Sequence, residues 1–179
     1  MGGIVIVVIV GILIWGAFSR DSTENSLETR QSTIRQAIDS MSSEYSTLLK
    51  ETTDMIQSVD NECVWMSDNL SDEIGEYCAE ITLSDYAFLN SGNFSLDEDD
   101  YFTYETNEEA LNALVEDANT MYNDLSERAS ISMEAMENQC SWLQDNISET
   151  VGERCFDTIS GYEFNSSPYS VGNYQIVTE

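Results

Sequence analysis

The chain of 179 residues contains no histidine, one proline and one lysine. Without histidine, neither a Ser-His nor a Cys-His catalytic dyad can form, and a His-based metal site is excluded. The sequence also has no Cys-x-x-Cys redox motif, no glycine-rich phosphate loop and no basic cluster. We therefore expect a protein that is not an enzyme and that needs neither a cofactor nor a metal.

Positive charge is scarce, with six Lys and Arg residues against 34 Asp and Glu, for a formal net charge of −28. Such a surface repels itself in dilute buffer, but at about 1 M salt the Debye length falls to roughly 3 Å. This balance predicts adaptation to high salt. An acidic disordered tail is the rival interpretation, but 41% of the residues are apolar and the charges are spread along the chain. No nucleic-acid partner is expected, because few cations could neutralise phosphates.

The chain contains a duplication with an offset of 77 residues. NECVWMSDNLSDEIGEYC, residues 61–78, is matched by NQCSWLQDNISETVGERC, residues 138–155, with nine of 18 positions identical. We call these two stretches the first and second cassettes. The correspondence extends upstream, where residues 29–60 align with 106–137. Two copies of one unit usually bury their apolar faces against each other, so we expect a closed bundle.

Upstream of each cassette, apolar and small residues alternate at steps of four and three, which is the a/d seam of a heptad pattern. Each copy is therefore predicted to contain a helix of more than thirty residues, roughly 45 Å long. Periodic apolar residues in the cassettes predict shorter helices that return along the long ones. The first seam runs through Ile34, Ile38, Met41, Tyr45, Leu48, Thr52, Met55 and Val59, and the second through Leu111, Val115, Ala118, Tyr122, Leu125, Ala129, Ser132 and Met136.

The predicted fold is all-α: an N-terminal transmembrane helix followed by a duplicated, coiled-coil-like helical-hairpin bundle that disulfides staple. The domain assignment is a transmembrane anchor at 1–19, helical repeat 1 at 20–83, an aromatic and acidic linker at 84–105, helical repeat 2 at 106–159, and a C-terminal tail at 160–179.

The cysteines of each cassette, Cys63 with Cys78 and Cys140 with Cys155, are fifteen positions apart. In one unbroken helix they would stand about 22 Å apart, whereas a disulfide needs Cα atoms within about 7 Å. Either the helix breaks between them or the bonds join the two copies. We favour bonds within the cassettes, because a duplicated unit would carry its own bridge. The cross-copy pairings, Cys63–Cys155 with Cys78–Cys140 or the parallel set, remain open.

Residues 67–69 and 144–146 are rich in turn formers and are the predicted break points. Ser71 and Ser148 would then cap the following helices. Trp65 and Trp142 are predicted to pack on the disulfides as part of the core.

Residues 4–18, IVIVVIVGILIWGAF, carry no charge and form part of an apolar run that would reach roughly 27 Å as a helix. Trp15 and Phe18 fit an interfacial position. A signal peptide is the alternative, since Ala17-Phe18-Ser19 resembles a cleavage site. The lack of Lys and Arg before the run favours a retained anchor in membrane lipid.

Paired cysteines indicate an oxidising compartment. Asn-x-Ser/Thr sequons indicate secretion, and two of the four occupy the same place in both cassettes. We therefore predict a single-pass membrane protein whose C-terminal domain lies outside the cell or on a virion surface, in a high-salt environment. The predicted glycosylation sites are Asn69, Asn93, Asn146 and Asn165.

The linker and the tail are rich in aromatic residues and lack helical periodicity. Exposed aromatic rings are enriched at interfaces, so these residues are candidates for contacts with a partner. The simpler interpretation is that the rings cover the open ends of the bundle. The candidates for partner contacts are Tyr86, Phe88, Phe94, Tyr101, Phe102 and Tyr104 in the linker and Tyr162, Phe164, Tyr169 and Tyr174 in the tail.

The leading functional hypothesis is a membrane-anchored structural or interaction subunit of a halophile assembly, such as an archaeal cell envelope, a virion or a filament. Its protein partners would be other components or further copies of itself. The alternative is a sensory or ligand-binding helical ectodomain that acts with a membrane partner.

An apolar N-terminal helix that runs into an amphipathic one is similar to the stalk of type IV pilins and archaeal filament proteins. This resemblance covers the apolar segment and the start of repeat 1, and it implies a filament subunit. The chain departs from that family because no charged leader precedes the apolar segment, and that segment lacks the glutamate of bacterial pilins. A helical exterior with a duplicated cassette also differs from the usual pilin head.

Overall fold

The computed structural model describes residues 3–79 and 94–174, with side chains described for 27–79 and 94–174. These residues are helical with no β-strand, which confirms the all-α prediction. The elements are α1 (Gly3–Asn69), α2 (helical over 72–79), α3 (Glu98–Phe102), α4 (Asn107–Asn146), α5 (Glu149–Ile159) and a 3₁₀ turn (Val171–Asn173).

The two long helices, α1 and α4, run parallel and in the register of the duplication. Along their length, each of three buried clusters contains a seam residue of α1 together with its own counterpart 77 positions later. All sixteen predicted seam positions are buried or half-buried in this helix pair, as a heptad seam requires. One such pair from each cluster is Ile34 with Leu111, Leu48 with Leu125, and Val59 with Met136.

Fourteen of the sixteen seam residues are buried, and Ile38 and Tyr122 are half-buried. The weaker seam positions are covered too, because small side chains let the helices approach closely. Thr52 is fully buried, and its hydroxyl donates a hydrogen bond to the Leu48 carbonyl one turn earlier, at 2.8 Å. A polar residue is thus accommodated in the core without an unsatisfied donor.

Each long helix ends in the same tight turn, after which a short helix folds back. The amides of Leu70 and Ser71 both donate to the Met66 carbonyl, at 2.9 and 3.3 Å. In the second copy, Ile147 and Ser148 donate to the Leu143 carbonyl, at 2.9 and 3.2 Å.

The predicted serine caps are present at both turns. The Ser71 hydroxyl accepts from the Ile74 amide, and the Ser148 hydroxyl accepts from the Val151 amide, each at 3.3 Å. The breaks lie at residues 70–71 and 147–148, slightly later than predicted. At these ends the side-chain amides of Asn69 and Asn146 donate to the carbonyls of Trp65 and Trp142, one turn earlier.

Both disulfides lie within the cassettes. Cys63 is bonded to Cys78 with the Cα atoms 5.2 Å apart, and Cys140 is bonded to Cys155 with the Cα atoms 5.3 Å apart. All four cysteines are buried in one cluster, which α1, α2, α4 and α5 enclose. We call this end of the bundle, residues 55–79 and 132–159, the head. The favoured pairing is therefore the one found, and the cross-copy pairings do not occur.

The tail runs back along the bundle, antiparallel to α4. The Ser126 hydroxyl donates to the Asn165 carbonyl at 2.8 Å, and the Ser167 amide donates to the Asn123 side-chain oxygen at 2.8 Å. Further on, the Tyr169 hydroxyl donates to the Met41 carbonyl of α1 at 2.8 Å. The tail therefore ties α1 to α4 on one side of the bundle.

At the other end, α3 packs on the start of α4. The Tyr101 hydroxyl donates to the Asp117 carboxylate at 2.9 Å, and Thr106 begins α4 with a capping box that includes Glu109. This contact closes the end of the bundle opposite the head.

Within the part of the chain whose side chains are described, no helix has a stretch long and apolar enough to cross a membrane. The side chains of the predicted anchor, residues 1–19, lie outside the described residues, although the backbone of α1 is helical from Gly3.

Candidate interaction site

The basic side chains that the structure describes are all engaged within the chain. Three of them join segments far apart in sequence. Arg30 donates to the carbonyls of Tyr101 and Tyr104. Ion pairs join Arg35 to Glu98, Arg154 to Glu62, Lys50 to Asp54, and Arg128 to Asp124.

The ion pair of Arg35 has an electrostatic effect on both groups. The hydrogen bond from Arg35 holds the pKa of the Glu98 carboxyl below its usual value, and the same contact raises the pKa of Arg35. The described cations are thus spent on contacts within the chain.

Most of the predicted aromatic contact residues cover the bundle. Tyr101 and Tyr169 are buried, and Tyr104 is 41% exposed. Tyr86 and Phe88 lie outside the described residues. The other five are half-buried against the hydrophobic clusters: Phe94, Phe102, Tyr162, Phe164 and Tyr174.

Burial changes the acidity of the two covered phenols. Burial, together with the hydrogen bond to Asp117, raises the pKa of Tyr101. Burial also raises the pKa of Tyr169, and the nearby Glu44 carboxylate adds to the effect. Both rings are part of the core, and Tyr104 is the most exposed described member of the set.

An aromatic pair that sequence reasoning missed is exposed on the head. The rings of Tyr77 in α2 and Trp142 in α4 lie 4.7 Å apart between centroids, and they are 43% and 40% exposed. The prediction that Trp142 packs in the core is wrong. Its neighbours Cys140 and Leu143 enter the core, which leaves Trp142 at the flank of the helix contact. The heptad pattern carried part of this signal, because Trp65 and Trp142 both fall outside the a/d seam, but it does not distinguish half-buried Trp65 from exposed Trp142.

The equivalent tryptophan of the first copy, Trp65, has a different neighbour. The guanidinium of Arg154 lies 3.9 Å from the centre of the Trp65 ring, and it also pairs with the buried Glu62 carboxylate. Arg154 is the counterpart of Tyr77 in the duplication. The same register therefore places an arginine over one tryptophan and a tyrosine beside the other.

The polar residue beneath this contact also differs between the copies. Glu62 in the first copy corresponds to Gln139 in the second, and the Gln139 amide donates to the Tyr77 carbonyl at 3.4 Å. Carboxylates flank the exposed rings. Glu73 lies four residues before Tyr77 on α2, Asp145 lies three residues after Trp142 on α4, and both are exposed.

Three of the four sequons lie within the described residues, and their asparagines are exposed. Asn69 and Asn146 end α1 and α4, where their side-chain amides donate to the carbonyls of Trp65 and Trp142, each at 2.8 Å. Asn165 lies in the tail. The remaining predicted site, Asn93, lies outside the described residues.

Comparison with protein-family models, curated proteins and solved structures found no match to this chain. Among the described residues, no group of three or more Cys, Asp or Glu side chains is arranged to hold a metal ion. The features that distinguish the surface are therefore its acidity, the two turn asparagines at the head, and the exposed aromatic pair.

Proposed function

We propose that this chain is a membrane-anchored, extracytoplasmic structural and interaction subunit of a halophile assembly, such as a cell envelope, a virion or a filament. The observation that carries the proposal is the continuity of α1, which is one helix of 67 residues from Gly3 to Asn69. The apolar segment and the bundle therefore share a single helix. A rigid connection of this kind suits a subunit that holds its head at a set distance from a membrane.

The dimensions support this role. The 40 residues of α4 correspond to a rod of about 60 Å. Between the apolar segment and the start of the contact with α4, α1 continues through residues 19–29. This stretch adds roughly 16 Å to the distance between the membrane and the head. With the apolar segment in a bilayer, the head would lie well beyond lipid headgroups, where another protein could reach it.

The chemistry of the exterior supports an extracytoplasmic location in high salt. Two buried disulfides suit an oxidising compartment. The net charge of −28 suits a solvent in which salt screens repulsion. The exposed asparagines at both turns of the head suit glycosylation.

The decisive experiment follows the full chain in a halophilic host. Membranes are prepared in molar salt, extracted gently with detergent and separated on a density gradient, and fractions are identified by mass spectrometry. We expect the chain in the membrane fraction, and after extraction in a defined particle larger than the 20.1 kDa monomer. Migration as a lone monomer would contradict the structural role and would favour a sensory or ligand-binding ectodomain.

A matched variant tests the anchor separately. Val8→Asp with Ile12→Asp places two charges in the apolar segment, and each costs about 3 kcal/mol at a membrane centre. We expect this variant in the soluble fraction, while Leu27→Asp, a change at an exposed site of α1 outside the segment, should remain in the membrane. Equal membrane retention of both variants would overturn the anchor.

Intact-mass measurement tests the exposure of the head to the glycosylation machinery. Asn69→Gln and Asn146→Gln should each remove one glycan mass, and their combination should remove both. Replacing asparagine is preferable to replacing Ser71 or Ser148, because those hydroxyls cap α2 and α5. A mass equal to that of the bare polypeptide would count against glycosylation of this chain.

A further inference from the structure

The exposed Tyr77–Trp142 pair has the features of a guanidinium-binding surface. We propose that it binds an arginine side chain of a protein partner, and that this contact attaches the head to the partner. The proposal rests on the proposed function, since it names the chemistry by which a subunit of an assembly would recognise a neighbour.

The first argument comes from the molecule itself. The duplication presents the same tryptophan twice, and Trp65 is already covered by an arginine, Arg154, whose guanidinium lies 3.9 Å from the ring centre. A guanidinium over an indole ring is a favourable cation–π contact, and arginine also stacks its planar group on the ring. At Trp142 the equivalent place is taken by Tyr77 of the first copy, and it leaves Trp142 40% exposed.

The second argument is charge complementarity. At Trp65, the arginine also pairs with Glu62. At Trp142, the exposed carboxylates Glu73 and Asp145 flank the rings on α2 and α4. A guanidinium seated on the rings would therefore have carboxylates within the reach of its N–H groups, as Arg154 has.

A different protein is the favoured source of the arginine. Five of the six basic residues have described side chains, and each of the five is engaged within the chain: Arg30, Arg35, Lys50, Arg128 and Arg154. A second copy would have to break one of these contacts to supply a cation from its described surface. We therefore assign the occupant to a partner that presents an exposed arginine.

The test measures binding of short labelled peptides to the full chain in detergent and molar NaCl, by fluorescence anisotropy. One peptide has three arginines separated by glycines, a second has lysines, and a third has citrullines, which keep the shape of arginine without its charge. We expect the arginine peptide to bind severalfold more tightly than the citrulline peptide, a difference of the size that one part-exposed cation–π contact supplies. It should also bind more tightly than the lysine peptide, because an ammonium group has no plane to stack on the ring. Equal binding of arginine and citrulline peptides would overturn the proposal.

Two variants map the contact. Trp142→Ala should weaken binding of the arginine peptide about tenfold. Glu73→Gln with Asp145→Asn changes exposed side chains and should weaken binding severalfold without unfolding the head. Val64→Ala, at a 57% exposed residue of the head outside the aromatic pair, is the matched control and should bind normally. Unchanged affinity both in Trp142→Ala and in Glu73→Gln with Asp145→Asn would exclude this surface as the binding site of the arginine peptide.

A third variant reproduces around Trp142 the arginine and glutamate that surround Trp65. Tyr77→Arg with Gln139→Glu places the residue types of Arg154 and Glu62 at their counterparts. The new guanidinium should cover Trp142 and abolish peptide binding, while circular dichroism should show a folded bundle. A folded variant that still binds the arginine peptide would contradict the proposed geometry.

Particle assembly separates this proposal from the proposed function. If Trp142→Ala remains in the membrane but leaves the large particle, the arginine contact joins the chain to its partner. If the variant stays in the particle, this proposal fails and the structural role stands. Loss of concentration-dependent self-association in Trp142→Ala, measured by ultracentrifugation without peptide, would instead identify a second copy as the occupant and overturn the assignment.

Discussion

At the scale of single residues, two glycines set how closely each hairpin closes. A Cβ atom added to Gly75 would lie 2.4 Å from the Ser67 Cβ, and one added to Gly152 would lie 2.3 Å from the Gln144 Cβ. The backbones of α1 and α2, and of α4 and α5, therefore meet at these glycines, each three positions before the second cysteine of its cassette. The same close approach in both copies helps to bring the paired cysteines within bonding distance.

Gly75→Ala should therefore destabilise the bundle by about 1–3 kcal/mol, the usual cost of overpacking. Alanine gains up to about 1 kcal/mol in helix propensity, but the contact with the Ser67 backbone, 2.8 Å from the added atom, outweighs it. Urea unfolding in molar NaCl measures the change. Gly172→Ala is the control, since the nearest atom is 4.0 Å away. A neutral Gly75→Ala would show that the hairpin is looser than described.

The buried tyrosines make stability sensitive to high pH. The folded protein holds the pKa of Tyr101 and Tyr169 above the ordinary value of about 10, because burial disfavours the phenolate. The contribution of these neutral phenols to stability is therefore intact below pH 10. As the pH rises above 10, the tyrosines of the unfolded chain ionise before those of the folded chain, and this favours unfolding. We expect the free energy of unfolding to fall between pH 9 and pH 11.

Urea titrations at the two pH values test this expectation. Tyr169→Phe should reduce the alkaline loss, although removal of its hydrogen bond to the Met41 carbonyl should cost about 0.5–1.5 kcal/mol at pH 9. Tyr104→Phe, which removes the hydroxyl of an exposed ring, is the matched control. An alkaline loss that persists undiminished in Tyr101→Phe with Tyr169→Phe would assign the effect to other groups.

At the scale of elements, the unit of construction is a long helix, a capped turn and a short helix that a disulfide holds in place. Local signals specify most of it: serine caps, turn asparagines, and apolar residues at helical spacing. The short helix α5 contacts both α4 and α1, so the second hairpin also braces the first. Each hairpin therefore depends on the other for part of its buried surface.

Removal of one disulfide should cost about 3 kcal/mol, the chain-entropy value for a loop of this size. Cys63→Ala with Cys78→Ala tests the first bridge, and Cys140→Ala with Cys155→Ala tests the second. Because the bridges occupy equivalent places, we expect similar losses in urea unfolding. Mild reduction of the unaltered protein should leave the buried bonds intact in molar salt. A loss below 1 kcal/mol for both pairs would indicate that packing alone holds the head.

At the scale of the whole molecule, the acidic surface competes with the packed seam. The core holds α1 and α4 together along the seam, while a net charge of −28 opposes compaction whenever salt is too dilute to screen it. Described cations form ion pairs within the chain and offset little of this charge. Solution conditions should therefore decide whether the bundle is stable.

We expect helicity, measured by circular dichroism at 222 nm, to fall as NaCl drops from molar to millimolar concentrations. A variant in which exposed α4 carboxylates become amides should keep its helicity to lower salt, because it repels itself less. Suitable changes are Glu116→Gln, Glu127→Gln, Glu134→Gln and Glu137→Gln. A flat signal for the unaltered chain over this range would remove the inference of salt adaptation.

The sequence by itself determined the helices, the seam and the serine caps, because these depend on neighbours within a few turns of one helix. The duplication is visible directly in the sequence. Trp142 shows the limit of that reasoning. Its identity with Trp65 suggested a shared role in the core, whereas exposure depends on the residue that the other copy places opposite it: Arg154 for one and Tyr77 for the other.

The tertiary structure alone decided that α1 and α4 run parallel, that the disulfides close within each cassette, and that the tail crosses from α4 to α1. The heptad seam is compatible with either helix direction, and fifteen-residue spacing is compatible with either pairing. The choice is made where distant segments meet: seam residues face their own counterparts, Gly75 and Gly152 permit close backbones, and Tyr169 reaches the Met41 carbonyl. Those contacts join residues far apart in the chain, and no local pattern specifies them.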